Sequence, residues 1–311
     1  MPEVRVGERQ WSVTAGSNLL DTLNHNGVAV PYSCRAGSCH ACLVQCVQGL
    51  PNDSRPDALS AEQRAQGWRL ACQCQVVEDL QVHAFDPQQD GRPAEVAAVD
   101  WLSANVLRLR VNPQRPLRYN AGQHLVLWAG NVARPYSLAS LPEEDRFLEF
   151  HLDCRHLGEF SAAARRLKIG DPLRLGELRG GALHYDADWS SRPLWLMAAG
   201  TGLGPLFGVL REALRQDHQG DIRVIHLAHD ADEHYLAKPL QAMAASRPNL
   251  SIELWTPTGL PEALAQLRLV SRQTQALLCG SPASVEAFAR RLYLAGLPRN
   301  QLLADEFLLR G

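Results

Sequence analysis

An excess of charge of either sign is missing from this chain. In its 311 residues, 31 Lys and Arg stand against 33 Asp and Glu, a net charge of −2, so neither nucleic acid nor an anionic membrane surface is favoured as a partner. A long apolar run is missing too. The best stretch, Leu194 to Leu210, is broken by four glycines and Pro205 and falls short of the roughly 20 residues that span a bilayer, so no membrane insertion is expected. The opening residues Met1-Pro2-Glu3-Val4-Arg5 lack the basic stretch and apolar core of a secretory signal. With no export signal, the eight cysteines argue for reduced thiols or metal ligation rather than a disulfide framework, and a cytoplasmic location is expected. No internal repeat or low-complexity tract is visible.

What the chain does have is Cys34-x4-Cys39-x2-Cys42 followed, after a 29-residue gap, by Cys72. Thiolates at that spacing can wrap a two-iron, two-sulfide cluster, and the small residues from Ser33 to Ser38 let backbone N–H groups turn toward anionic sulfurs. A zinc site built on Cys39-x2-Cys42 and Cys72-x-Cys74 is the rival reading, although it leaves Cys34 unexplained. His40, between two ligand positions, reads as a solvated loop residue. Cys46, Cys74 and Cys154 read as packing. Residues 1–85, including Leu19-Leu20-Asp21-Thr22-Leu23 and Leu70-Ala71-Cys72-Gln73, resemble plant-type ferredoxins. The resemblance implies a β-grasp-like domain that carries single electrons.

At 311 residues the chain should hold two or three domains. Asp86 to Pro93 is polar, with two prolines and a glycine, which is linker composition. The expected division is a ferredoxin-like domain over 1–88, a linker over 89–94, a barrel over 95–190 and a nucleotide domain over 191–311. Alternating runs such as Val106-Leu107-Arg108-Leu109-Arg110-Val111 and Phe147-Leu148-Glu149-Phe150-His151-Leu152 predict an antiparallel barrel, with a short helix over Ser161–Lys168. After Pro193, apolar strands alternate with helices, the pattern of a doubly wound parallel sheet.

Two further motifs carry chemistry. Arg134-Pro135-Tyr136-Ser137 offers a cation for a pyrophosphate, an aromatic face and a hydroxyl able to reach a ring nitrogen. Ala199-Gly200-Thr201-Gly202-Leu203-Gly204-Pro205 joins the first parallel strand to a helix, where a glycine turn admits a phosphate against the backbone. The first resembles the Arg-x-Tyr-Ser flavin motif of the ferredoxin–NADP reductase superfamily and the second its Gly-Thr-Gly turn. Cys279-Gly280-Ser281-Pro282 resembles that superfamily's Cys-Gly-x-Pro element, and Ala304-Asp305-Glu306-Phe307 its closing strand. The resemblance implies that Gly158 and Ser161 hold the flavin diphosphate and His151 lies beside the flavin. It further implies that Gly200, Thr201, Gly202, Pro205, Cys279 and Gly280 meet the nicotinamide nucleotide, and that Glu306 and Phe307 lie by the flavin. Ser137, Cys279 and Glu306 are the expected catalytic contacts. Ser161 also reads as a helix N-cap. One departure is Leu175 to Gly181, which lacks the usual Gly-Pro-x-Gly.

The acidic turn Ala228-His229-Asp230-Ala231-Asp232-Glu233 favours NADH, with Asp230 on the free ribose hydroxyl, unless Arg223 or Arg247 folds over the site. Across essentially all 311 residues the chain resembles oxygenase-reductase components. The resemblance implies FAD, a [2Fe-2S] cluster and NAD(P)H as cofactors. Hydride passes to the flavin, and electrons leave singly through the cluster to a protein acceptor such as an oxygenase component or another redox protein. A reductase partner in nucleotide-linked deoxysugar synthesis and a redox-sensing regulator are the competing functions, although a sensor needs fewer cofactor sites.

Overall fold

Apolar residues recur with different periods along the chain, and each pattern closes its own sheet. The structure, a computed structural model, describes residues 1–156, 158–180 and 182–308. The first sheet is mixed and five-stranded, in the order Arg9–Ser12, Glu3–Val6, Leu80–Ala84, Leu43–Gln48, Trp68–Leu70. Only Glu3–Val6 and Leu80–Ala84 run parallel. Helix Leu19–His25 lies across it. Asn18 caps that helix by accepting the Asp21 N–H at 3.2 Å, and Leu19, Leu20 and Leu23 are completely buried in the core shared with the sheet. Each such leucine stabilises the domain by roughly 2 kcal/mol. This is the β-grasp arrangement, and it leaves residues 33–42 as an irregular loop at one end.

The second sheet is antiparallel and six-stranded, in the order Val132–Ser137, His124–Ala129, Pro172–Arg179, Arg92–Trp101, Val106–Pro113, Leu148–Asp153. In the Val106–Pro113 strand Leu107, Leu109 and Val111 point inward and are fully buried, while Arg108 and Arg110 pair outside with Asp100 and Glu149. Its two end strands approach closely, and the Ala139 N–H donates to the Glu149 carbonyl at 2.8 Å, so the sheet is a nearly closed barrel. The linker expected over 89–94 is shorter than its composition suggested, because Arg92, Pro93 and Ala94 already pair with the Pro172–Arg179 strand. Pro93 is tolerated there because its carbonyl still accepts, from the Gln114 N–H. The remaining connection is a turn in which Asp90 N–H donates to the Asp86 carbonyl at 2.7 Å.

The third sheet is parallel and five-stranded, in the order Leu250–Trp255, Ile222–Leu227, Leu194–Ala199, Gln275–Gly280, Leu302–Glu306. Helices cover both faces, so Leu194–Ala199 and Gln275–Gly280 are buried along their entire lengths. Strand order reverses between those two central strands, which places the crevice of the sheet at their carboxyl ends. Helix Leu260–Gln266 is an element the sequence pattern did not announce, being short and led by Pro261.

Candidate active site

The cysteine loop is shaped by three left-handed residues, Arg35, Gly37 and His40, with φ of +49°, +77° and +54°. These kinks aim successive amides at one point. The N–H groups of Ala36, Ser38 and Cys39 lie 3.3, 3.4 and 3.3 Å from Cys34 Sγ. Gln73 closes the loop from the other side, its Nε2 donating to the Arg35 carbonyl at 2.8 Å and to Cys72 Sγ at 3.3 Å. The thiols fall into two touching pairs, Cys34 with Cys39 and Cys42 with Cys72. Cys34 is held down at about 4, first by the Cys39 thiol, against burial, and then by Ser38 and the loop amides. Two pairs suit two irons. Cys74, the zinc reading's extra ligand, belongs to neither pair and is completely buried, its thiol raised by burial.

A cavity of about 930 Å³ opens where the three sheets meet. Cys34 and Cys39 form part of its wall, facing Arg134, Pro135, Tyr136 and Ser137 from the barrel and Gly200, Thr201 and Pro205 from the glycine turn. Its size is that of a cofactor site. Arg134 reaches along the wall, with Nη2 3.5 Å from the Glu159 carboxylate and Nη1 donating to the Ala133 carbonyl. His151 and Gly158 also line it. Ser161 lines it as well, but it is not a helix N-cap. The helix is Glu159–Ala164, capped at Gly158, and Ser161 Oγ reaches back to accept the Gly158 N–H at 2.9 Å. The departure noted at Leu175 to Gly181 is the end of the Pro172–Arg179 strand; Gly181 lies outside the described residues.

On the nucleotide side, the two glycine motifs are parts of one contact. A Cβ on Gly202 would stand 2.3 Å from the Cys279 carbonyl oxygen, and Gly280, at φ +146°, approaches Ala199 so closely that its Cβ would fall 2.7 Å from the alanine methyl. Only glycine lets the two turns meet at the crevice. Cys279 itself is completely buried beneath this contact and is not on the cavity wall, and burial drives its thiol well above the ordinary range. Glu306 and Phe307 are on the wall, and the Phe307 N–H donates to the Gly280 carbonyl at 2.7 Å.

Asp230 is turned to another task. Its Oδ1 accepts the Asp232 and Glu233 N–H groups at 3.1 and 3.2 Å, capping the short 231–233 turn, and Ala228 and His229 take the place on the wall. Arg223 is held by Glu253 and stacked on Trp195, on a strand position well before the carboxyl end. Asp305, absent from the expected site residues, lines the cavity, and burial followed by the charges of Cys34 and Glu306 raises its carboxyl to about 6. The signal was a second acid, next to Glu306, at the end of an otherwise apolar strand.

Three contacts between domains were invisible in the sequence. His124 Nε2 lies 3.2 Å from the Cys39 carbonyl. Glu233 is buried between domains, accepting from Asn105 Nδ2 at 2.6 Å and Ser103 Oγ at 3.0 Å. His151 Nδ1 lies 3.2 Å from the Tyr235 hydroxyl. His40 is not a solvated residue: it is half-buried, with its ring lowered to about 4 by burial and then by Arg179 and His124 across the seam.

A chain whose cluster ligands, barrel and parallel sheet share one wall is an iron–sulfur flavoprotein oxidoreductase. Residues 4–77 match the 2Fe-2S iron-sulfur cluster binding domain, 93–182 the oxidoreductase FAD-binding domain and 196–290 the oxidoreductase NAD-binding domain. The chain is 30% identical over 316 residues to the ferredoxin–NAD(P)(+) reductase component of naphthalene 1,2-dioxygenase/salicylate 5-hydroxylase systems of a Ralstonia species, covering 95% of each. It is 30% identical over 317 residues to an aromatic O-demethylase reductase subunit of an Amycolatopsis species, covering 91% of this chain and 92% of that one. An Amycolatopsis cytochrome P450 reductase structure superposes with a TM-score of 0.65 at 26% identity, covering 99% of both chains. The chain belongs to this family of ferredoxin–NAD(P)(+) reductase components. It uses NAD(P)H, FAD and a [2Fe-2S] cluster and passes electrons to an external acceptor. No helix among the described residues is long and apolar enough to cross a membrane.

Proposed function

We propose that this chain is the reductase of an oxygenase system, taking electrons from NADH in the cytoplasm and delivering them to an oxygenase component. The observation that carries the reading is the common wall: Cys34 and Cys39 line the same cavity as Ser137 and Gly200. The flavin, when bound, turns the electron pair of one hydride into two single electrons. Arg134 would neutralise the flavin pyrophosphate, Tyr136 would lie against the ring and Ser137 would donate to a ring nitrogen. Gly158 and Ser161 would shape the turn beside the diphosphate. Gly200, Thr201 and Pro205 would hold the nucleotide, with Gly202, Cys279 and Gly280 supporting that turn from beneath. Glu306 and Phe307 would close the cavity, excluding water from the reacting rings.

Arg223, paired with Glu253 and stacked on Trp195, is kept from a 2′-phosphate, which supports NADH over NADPH. Beside the four cluster ligands, the buried free thiols of Cys46, Cys74, Cys154 and Cys279 support a reducing compartment. Relatives that serve dioxygenases and an O-demethylase support an oxygenase as the acceptor over a deoxysugar system or a regulatory role. The test is an anaerobic absorption titration with NADH, then NADPH, followed by addition of candidate oxygenase components. Bleaching of flavin and cluster bands at lower NADH than NADPH, with reoxidation by an oxygenase component, is the expected result. Bands untouched by either nucleotide would sink the proposal.

A further inference from the structure

His124 occupies a position no sequence motif announced. It opens the His124–Ala129 strand, is buried to 8% exposure, and pairs across the barrel sheet with Ser137 on one side and Arg179 on the other. Its Nε2 lies 3.2 Å from the carbonyl oxygen of Cys39, and since a carbonyl only accepts, Nε2 carries the proton and donates. One imidazole therefore joins the strand rung of Ser137 to the backbone of a cluster ligand.

The surroundings make this a built seam. Ala41 packs with Val126, Trp128 and Ala133 of the barrel, and the rings of Phe85 and Trp128 stack with centroids 5.6 Å apart and planes inclined by 23°. Such an apolar contact is non-directional: it favours association of the two domains without selecting which cysteine meets the cavity. A hydrogen bond is directional and sets the register. It also sits in a half-dry environment, where a donor at the backbone of a ligand residue counts for more than it would in water.

Resting on the reductase reading, we infer that His124 is the positioning residue for transfer between flavin and cluster. It holds the Cys34–Cys39 edge of the cysteine loop against the flavin side of the cavity and provides the hydrogen-bonded link between Ser137's strand rung and Cys39. The step it serves makes and breaks no bond to His124. One hydride brings two electrons to the flavin side; they cross the seam one at a time to the cluster and on to the acceptor, and the accompanying proton leaves to solvent.

The test uses holoenzyme. In anaerobic stopped flow with NADH, His124→Phe should reduce its flavin within about twofold of the unsubstituted rate and its cluster about tenfold more slowly. That factor is what one hydrogen bond lost from the docked arrangement is worth. His124→Gln, which keeps a donor, should recover most of the cluster rate. Independently of turnover, backbone amides of residues 33–42 should exchange with deuterium faster in His124→Phe than in His124→Gln or the unsubstituted protein. Should His124→Phe fail to load both cofactors, His124→Asn, whose shorter amide cannot reach Cys39, carries the same comparison. Cluster reduction as fast as in the unsubstituted protein would overturn the inference, as would equal slowing of flavin and cluster. An unsubstituted protein that neither nucleotide bleaches would instead overturn the reductase reading.

Discussion

His151 Nδ1 lies 3.2 Å from the Tyr235 hydroxyl, a contact between a barrel strand and the loop that follows the second strand of the parallel sheet. On its other side, His151 Nε2 lies 3.0 Å from Glu149 Oε1, and Glu149 in turn accepts from Arg110 Nε at 2.7 Å. A carboxylate only accepts, so Nε2 donates, and in the neutral ring this leaves Nδ1 to accept from the tyrosine hydroxyl. The chain of bonds fixes the flavin side of the cavity relative to the nucleotide side. Tyr235→Phe keeps the ring and strands a buried acceptor, which should cost about 1–3 kcal/mol of stability. Hydride transfer should slow severalfold as well, since near-attack geometry spans both domains. Thermal unfolding and single-turnover reduction by NADH check the two effects. A lowered Tm with an unchanged transfer rate would confine Tyr235 to stability.

Cys72 and Cys74 are two residues apart and in different surroundings. Cys72 pairs with Cys42 and receives the Gln73 amide, whereas Cys74 is completely buried in the domain core with its thiol raised by burial. Cys72→Ser should abolish the cluster's visible bands and transfer to one-electron acceptors while sparing flavin reduction. Cys74→Ser should keep the cluster and lose about 1–3 kcal/mol of stability through a buried hydroxyl. Iron content and absorption spectra decide the matter, and a normal cluster in Cys72→Ser would transfer its ligand role to Cys74.

Ser137 faces the cavity on the rung opposite His124. Ser137→Ala should leave flavin bound, because Arg134 and Tyr136 remain, yet slow its reduction by about 100-fold or more, the range for losing one donor at a reacting centre. Stopped-flow reduction measures this, and an unaltered rate would remove the role.

Asp305 sets a pH dependence. Its carboxyl is raised to about 6 in the folded protein, first by burial and then by Cys34 and Glu306. Below about pH 4 the group is protonated in both folded and unfolded chains and makes no difference to stability. Between there and pH 6 the unfolded chain ionises first, so stability falls, and above pH 6 the buried charge is carried in full. Asp305→Asn should therefore raise the Tm of the protein at pH 8 and give a gain that shrinks toward pH 4, at most about 3 kcal/mol. A gain independent of pH would show that packing, not charge, is responsible.

Much of the molecule is legible in the chain alone because its signals are local. Alternation in Val106–Val111 named a barrel strand, the cysteine spacing named the cluster loop, and the glycine turn followed an apolar strand. Each depends on residues a few positions apart, where backbone sterics and side-chain period decide the outcome. The readings that changed were those requiring a partner far along the chain or a competing local bond. Asp230 looked like a ribose ligand until its own turn claimed it as a cap. His40 looked solvated until the barrel covered it. Cys279 looked catalytic until the meeting of Gly202 with Gly280 placed it underneath.

The order of three domains, the cofactors they hold and the residues of each motif were determined by the sequence itself, since turn geometry and ligand spacing are written within short segments. The common cavity was decided only by tertiary structure. Cys39 meets His124 across 85 positions, His151 meets Tyr235 across 84 and Asn105 meets Glu233 across 128. No local pattern encodes such pairs. They exist because apolar faces such as Phe85 and Trp128 pack in a non-directional way, and the directional hydrogen bonds select one register among the many that packing alone would allow.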